Sequence, residues 1–219
     1  MKENANKAYK TAGMSANDYM QNVTSFSASL LKSVAGDTDK AAKIADMAMT
    51  DMSDNANKMG TDMSMIQSAY QGFAKQNYTM LDNLKLGYGG TKSEMERLLK
   101  DAQKISGIKY DISNLNDVYQ AIHVIQGELG ITGTTAKEAS TTIQGSVSAM
   151  KSAWQNMLTG IATGNTENMG NLVNNLANSV ITAAQNILPR VQEIASGIVS
   201  VLPQIIEQIK NIPSIKIII

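Results

Sequence analysis

The chain has 219 residues, only 17% of them charged, and its 19 basic residues balance 19 acidic ones. It therefore carries neither the basic footprint of a nucleic-acid binder nor a polybasic attraction to anionic lipid. The absence of cysteine excludes disulfide scaffolds, thiol catalysis and cysteine zinc sites, and two Phe and one Trp against 14 Met leave Leu, Ile, Val, Met and Ala to build a core of packed helices.

Apolar positions recur at helical spacing along nearly the whole chain, without a convincing alternating strand pattern. This predicts an all-α fold of seven to eight amphipathic helices, an antiparallel array followed by an extended C-terminal helical tail. Met1 to Lys7 contains no apolar run and predicts no secretory signal. Ser15, with Asp18 in the first turn, should cap the first clear helix, whose stripe runs from Tyr19 to Val34 before Gly36. A second helix is expected from about Asp39 to Met59, with Ile44, Met47, Met52, Ala56 and Met59 inward and Gly60 as its stop. A third carries Met63, Ile66, Tyr70 and Phe73.

After the loop Gly87-Tyr88-Gly89-Gly90, Thr91 and Glu94 fit a capping box, and Met95, Leu98, Leu99, Ala102 and Ile105 face one way before Gly107. Asn114 to Leu129 forms the next helix, with Leu115, Val118, Ile122, Ile125 and Leu129 on one face. A second capping box, Thr135 with Glu138, should open the longest helix, running to about Thr163. Its stripe of Ile143, Val147, Met150, Trp154 and Leu158 is the candidate packing or interface surface, with Ser152 on the polar side. Beyond Thr166 the spacing stays helical, interrupted at Pro189 and Pro203, and Ile215 to Ile219 reads as a truncated end. The uncharged stretch from Asn168 to Pro189 is broken by five asparagines, so it is no membrane span. Three segments follow: residues 1–76, residues 77–164 and an amphipathic tail over 165–219.

No catalytic constellation emerges. Gly87 to Ser93 looks like a phosphate cradle, but Thr91 separates Gly90 from Lys92 and no strand precedes it, so a tight turn with a capped helix is the better reading. His123 is the only histidine; beside Ile122 it reads as a boundary residue rather than a catalytic one, and a two-histidine metal site is excluded. The carboxylate pairs Glu94 with Glu96 and Asp51 with Asp54 are expected on solvated helix faces. The seven methionines from Met47 to Met80 follow stripe spacing and suit adaptable packing better than soft-metal binding.

The block Lys85-Leu86-Gly87-Tyr88-Gly89-Gly90-Thr91-Lys92-Ser93-Glu94-Met95-Glu96-Arg97-Leu98-Leu99 is followed by Tyr110-Asp111-Ile112-Ser113 and by the run Gly130 to Ser146. In that order these resemble the tape measure domain of tail proteins from long-tailed phages and prophages of Gram-positive bacteria. The likeness covers about Ala12 to Gly164 and is strongest over Asn77 to Gly160. It implies an extended helical scaffold, without enzymatic activity or cofactor, around which tail-tube subunits polymerise and which is expelled ahead of the DNA. The implied partners are tail tube and tail assembly chaperone proteins, further copies through helices, and the host envelope on ejection, with no specific nucleic acid. The implied location is the virion tail, and the host bacterial cytoplasm during assembly. Even fully helical, the chain would span only about 330 Å at ~1.5 Å per residue, so it holds a module of such a protein rather than a full ruler. Some members also carry peptidoglycan-cleaving domains, which this sequence lacks. The alternative is a membrane-active or secreted amphipathic helical effector, weakened by a tail whose only basic residues between Thr166 and Lys210 are Arg190 and Lys210 itself.

Overall fold

Local cap chemistry sets most of the helix ends. In the computed structural model, which describes residues 1–164 and 168–210, Ser15 accepts the amide of Asp18 and opens α2 (Ala16–Ser33). Asp37 does the same for α3 (Thr38–Met59), which stops at Gly60 in the left-handed conformation, φ 65°. Asp62 caps α4 (Met63–Phe73), Thr91 caps α5 (Lys92–Ser106), and Asn114 caps α6 (Leu115–Glu128). A helix not anticipated from the sequence, α1 (Lys2–Thr11), precedes them and buries Ala5, Ala8 and Tyr9. With α7 (Thr134–Thr141), α8 (Ile143–Ala162) and α9 (Met169–Lys210), the described residues form nine α-helices, one short 3-10 turn and no strand, an all-α fold.

One core joins α1 through α6. The rings of Phe26 and Tyr119 meet edge to face at 5.7 Å, Tyr70 lies 5.0 Å from Tyr119, and the Tyr119 hydroxyl donates to the Tyr70 carbonyl, binding α2, α4 and α6 together. Met49, Met52, Met95, Leu98 and Ile122 fill the space around them. This core draws residues from Ala5 to Ile131, so residues on both sides of position 76 share it. Ile105 and Leu129, expected inward, are exposed at the ends of their helices.

Two expectations for the C-terminal half are corrected. The long helix over Thr135–Thr163 is two helices, because Thr142 is extended (φ −117°, ψ 154°) and its hydroxyl accepts the Gly145 amide, ending α7 and capping α8 in one residue. Gly145 permits this corner: a Cβ there would fall on the backbone of Glu138 and Ala139. Conversely, α9 runs straight through Pro189 and Pro203. Each proline lacks an N–H for the carbonyl four residues back, but Gln185 and Val199 are both exposed, so water can take the freed acceptors. The run Ile215 to Ile219 lies outside the described residues.

Candidate assembly surface

The surface begins with a carboxylate in the wrong place for a solvated face. Asp51 and Asp54 are 1% and 0% exposed, not on the outside of α3 as expected. Asp51 receives His123 Nδ1 at 2.8 and 3.0 Å from its two oxygens, tying α3 to α6, while His123 keeps one side in water as a boundary residue. Burial pushes the Asp51 carboxyl up to about 6 despite the histidine beside it, and the hydrogen bond to Asp51 raises the His123 imidazole in turn.

Asp54, one turn on, accepts the amides of Gly133 at 2.6 Å and Thr135 at 2.8 Å. The start of α7 is therefore capped from α3 rather than by Thr135 with Glu138: Gly133 has no side chain to offer, the Thr135 hydroxyl is buried without a partner, and Glu138 is exposed. Helical spacing could have found both carboxylates, since Asp51 and Asp54 lie seven residues after Ile44 and Met47 on the same stripe.

From that anchor α8 docks through its small residues. Ser146, Ala149, Ser152, Ala153, Asn156 and Gly160 are buried, Ala149 and Ala153 against Tyr9 of α1. Asn156 Oδ1 accepts the Ala16 amide at 2.7 Å, and Ser152 Oγ donates to the Gly13 carbonyl at 3.2 Å. Small residues let the helix axes approach closely, so polar side chains reach a neighbouring backbone directly. The predicted stripe consequently points outward. Trp154 is 48% exposed, Ile143, Val147 and Leu158 are also exposed, and Met150 is half-buried. Ser152, expected on the polar side, is buried.

Across the hairpin, Leu172 of α9 packs at Gly160, and Asn186 donates to the carbonyls of Ser140 and Thr142 at the other end. At about 100° per residue, the α8 stripe and the Val173 and Val180 positions of α9 turn to the same side of the hairpin. From Leu188 to Gln204 every residue of α9 is exposed.

The remaining candidates close on themselves. Thr91 caps α5 through the Glu94 amide, but the Glu94 carboxylate reaches the Gly89 amide rather than that of Thr91, completing only half a capping box. Arg97 pairs with Glu94, donates to the Gly87 carbonyl and lies 4.2 Å from the Tyr88 ring centre, so the glycine loop is filled by its own side chains. These contacts hold the Glu94 carboxyl down at about 2. Among the described residues, no three His, Asp or Glu side chains gather as a metal site, and no helix is long and apolar enough to cross a membrane. No family model, curated protein or solved structure matches the chain.

Proposed function

We propose that the chain is a non-enzymatic structural protein of phage tail assembly, a tape measure scaffold that sets tail length and assists genome ejection. The observation that carries the reading is the outward apolar stripe of α8 with the only tryptophan at its centre, 48% exposed. An aromatic anchor among exposed aliphatics is the composition of a protein interface core. The resemblance of the Lys85–Leu99 and Gly130–Ser146 runs to tape measure domains supplies the partners: tail tube and tail assembly chaperone subunits in the host cytoplasm, then the mature virion tail. The self-filled glycine loop and the structural use of Asp51, Asp54 and His123 support a scaffold rather than an enzyme.

The test is tube assembly in vitro from the tail tube and tail assembly chaperone proteins of a long-tailed phage of a Gram-positive bacterium, with and without the chain, followed by electron microscopy. The reading expects tubes of defined length only when the chain is added, and their loss with Trp154→Asp while helicity by circular dichroism is retained. Tubes equal in number and length with and without the chain would overturn it. Release of dye from anionic vesicles by the chain alone would favour the membrane-active alternative instead, for which the exposed apolar half of α9 provides the specific motive.

A further inference from the structure

Where α1 meets α7, α8 and α9, the helices leave a cavity of about 290 Å³. Its two walls differ in chemistry. The C-terminal helices contribute the methyl groups of Ala136, Ala139 and Ala149, together with hydroxyls that are already engaged: Ser140, Ser146, Ser179 and Thr182 each donate to a carbonyl three or four residues back. The wall from α1 is the consecutive run Tyr9, Lys10 and Thr11, and it holds the donors left over. Tyr9 is only 2% exposed, yet its hydroxyl finds no hydrogen-bond partner among the described residues, whereas a buried tyrosine hydroxyl usually has one. Lys10, the only charge lining the cavity, has no carboxylate partner among the described residues either, and its Nζ lies 5.6 Å from the centre of the Tyr9 ring.

We propose that this cavity is a binding site for a medium-chain monocarboxylate, with the carboxylate on the Tyr9 hydroxyl and the Lys10 ammonium and the hydrocarbon body against the alanines of α7 and α8. Three features of the lining select that ligand. The first is charge: one cation and no anion call for an anionic group, and a carboxylate can take both donors at once through its two oxygens. The second is the far wall, whose hydroxyls have spent their protons on backbone carbonyls. A second anionic or acceptor group there would find no donor, so the rest of the ligand is apolar. The third is size: at the ~30 Å³ that a water occupies in the liquid, the cavity holds about ten non-hydrogen atoms, the size of octanoate.

Tyr9 and Lys10 stand in the last turn of α1, whose terminal carbonyls repel an anion. The Lys10 charge offsets them, and helical side chains lean back toward the N-terminus, which carries the Tyr9 hydroxyl away from that end. Because one wall belongs to α1 and the other to α7, α8 and α9, an occupant also fastens the C-terminal helices to the body, as any ligand that binds only the docked form must.

The inference is independent of the tail-scaffold reading, because it rests on the lining of one cavity. The full chain is titrated by calorimetry with octanoate, below its micelle-forming concentration and at about pH 7, where a carboxylic acid is ionised. The expected result is one site per chain with a Kd on the order of 0.1 mM, within reach of about ten non-hydrogen atoms. Tyr9→Phe removes the hydroxyl and keeps the ring against Ala149 and Ala153, so it should weaken binding about tenfold while helicity by circular dichroism is retained. Lys10→Gln, at an exposed residue, should weaken it roughly two- to fivefold. Octanol, without the charge, should bind about tenfold more weakly than octanoate, and octylammonium not at all. Bound octanoate should also slow amide hydrogen exchange in α7 and α8. Heats that do not saturate, equal affinity for octanol, an unchanged affinity in Tyr9→Phe, or protection confined to α5 and α6 overturns the proposal.

Discussion

Asp54 accepts the amide of Thr135 at 2.8 Å, so the helix that begins the C-terminal half is capped by a residue 81 positions earlier. A buried carboxylate serving two helix amides is a charge-assisted contact, and its removal leaves both donors without an acceptor. Asp54→Ala should therefore cost about 2 to 3 kcal/mol. Thr135→Ala removes a buried hydroxyl that has no partner and should be neutral or slightly stabilising. Thermal unfolding of the two variants checks the order; a larger loss for Thr135→Ala would return the cap to that residue.

The two faces of α8 should respond oppositely to substitution. Trp154→Ala is expected to change the stability of the single chain by less than about 0.5 kcal/mol, as for other exposed sites. Ala153→Leu places a branched side chain against Tyr9 and should cost about 1 to 3 kcal/mol by overpacking. Denaturant unfolding at low micromolar concentration makes the comparison, and equal midpoints would contradict this orientation of the helix.

The corner between α7 and α8 should tolerate no side chain at its glycine. Gly145→Ala drives a methyl onto backbone, which cannot swing aside as a flexible side-chain end can. The expected result is a loss of about 2 kcal/mol or more and faster amide hydrogen exchange in α7. Gly160→Ala meets the movable end of Leu172 and should be milder. If the two substitutions prove equivalent, the tight corner is wrong.

Acid should favour the fold through the Asp51 and His123 pair. Both groups titrate higher in the folded protein than in the unfolded chain, so the folded state holds more protons over the intervening range. The Asp51 contribution is complete below about pH 4, the ordinary carboxylate value, and is lost as pH rises through about 6. That of His123 is lost above roughly pH 6.5, its ordinary value, as pH passes its raised folded value. The melting advantage of wild type over Asp51→Asn should consequently grow from pH 8 to pH 5. A constant or shrinking difference would mean that the pair does not titrate this way.

Helix ends were legible where their chemistry is local. Ser15 with Asp18, Gly60, Thr91 and Gly107 each act within a turn of themselves, and each ends or opens a helix as read. The start of α7 was not, because its acceptor lies on another helix and no local pattern announces it. The face of α8 misled for a related reason. A hydrophobic stripe marks a side that prefers to leave water, but the partners within the chain were chosen by how closely α1 and α9 could approach, and Ala149 and Ala153 toward α1 and Gly160 toward α9 allow a tighter contact than Trp154. The pattern marked an apolar face, and in the single chain that face lies outward rather than in the core.

The way the hairpin is fastened has a consequence for the order of folding. Residues up to Ile131 complete their own core without α8 or α9, whereas the hairpin is held by buried alanines, worth roughly 0.8 kcal/mol per methyl-sized group, and by bonds such as Asn156 to Ala16, 140 positions apart. A chain emerging from the ribosome can close the first unit before the sequence of α8 exists. The hairpin then arrives as a late and shallow attachment, the first part to detach as conditions worsen. The molecule is thus made of a settled body and a separable arm, and the arm is the part free to be claimed by something else.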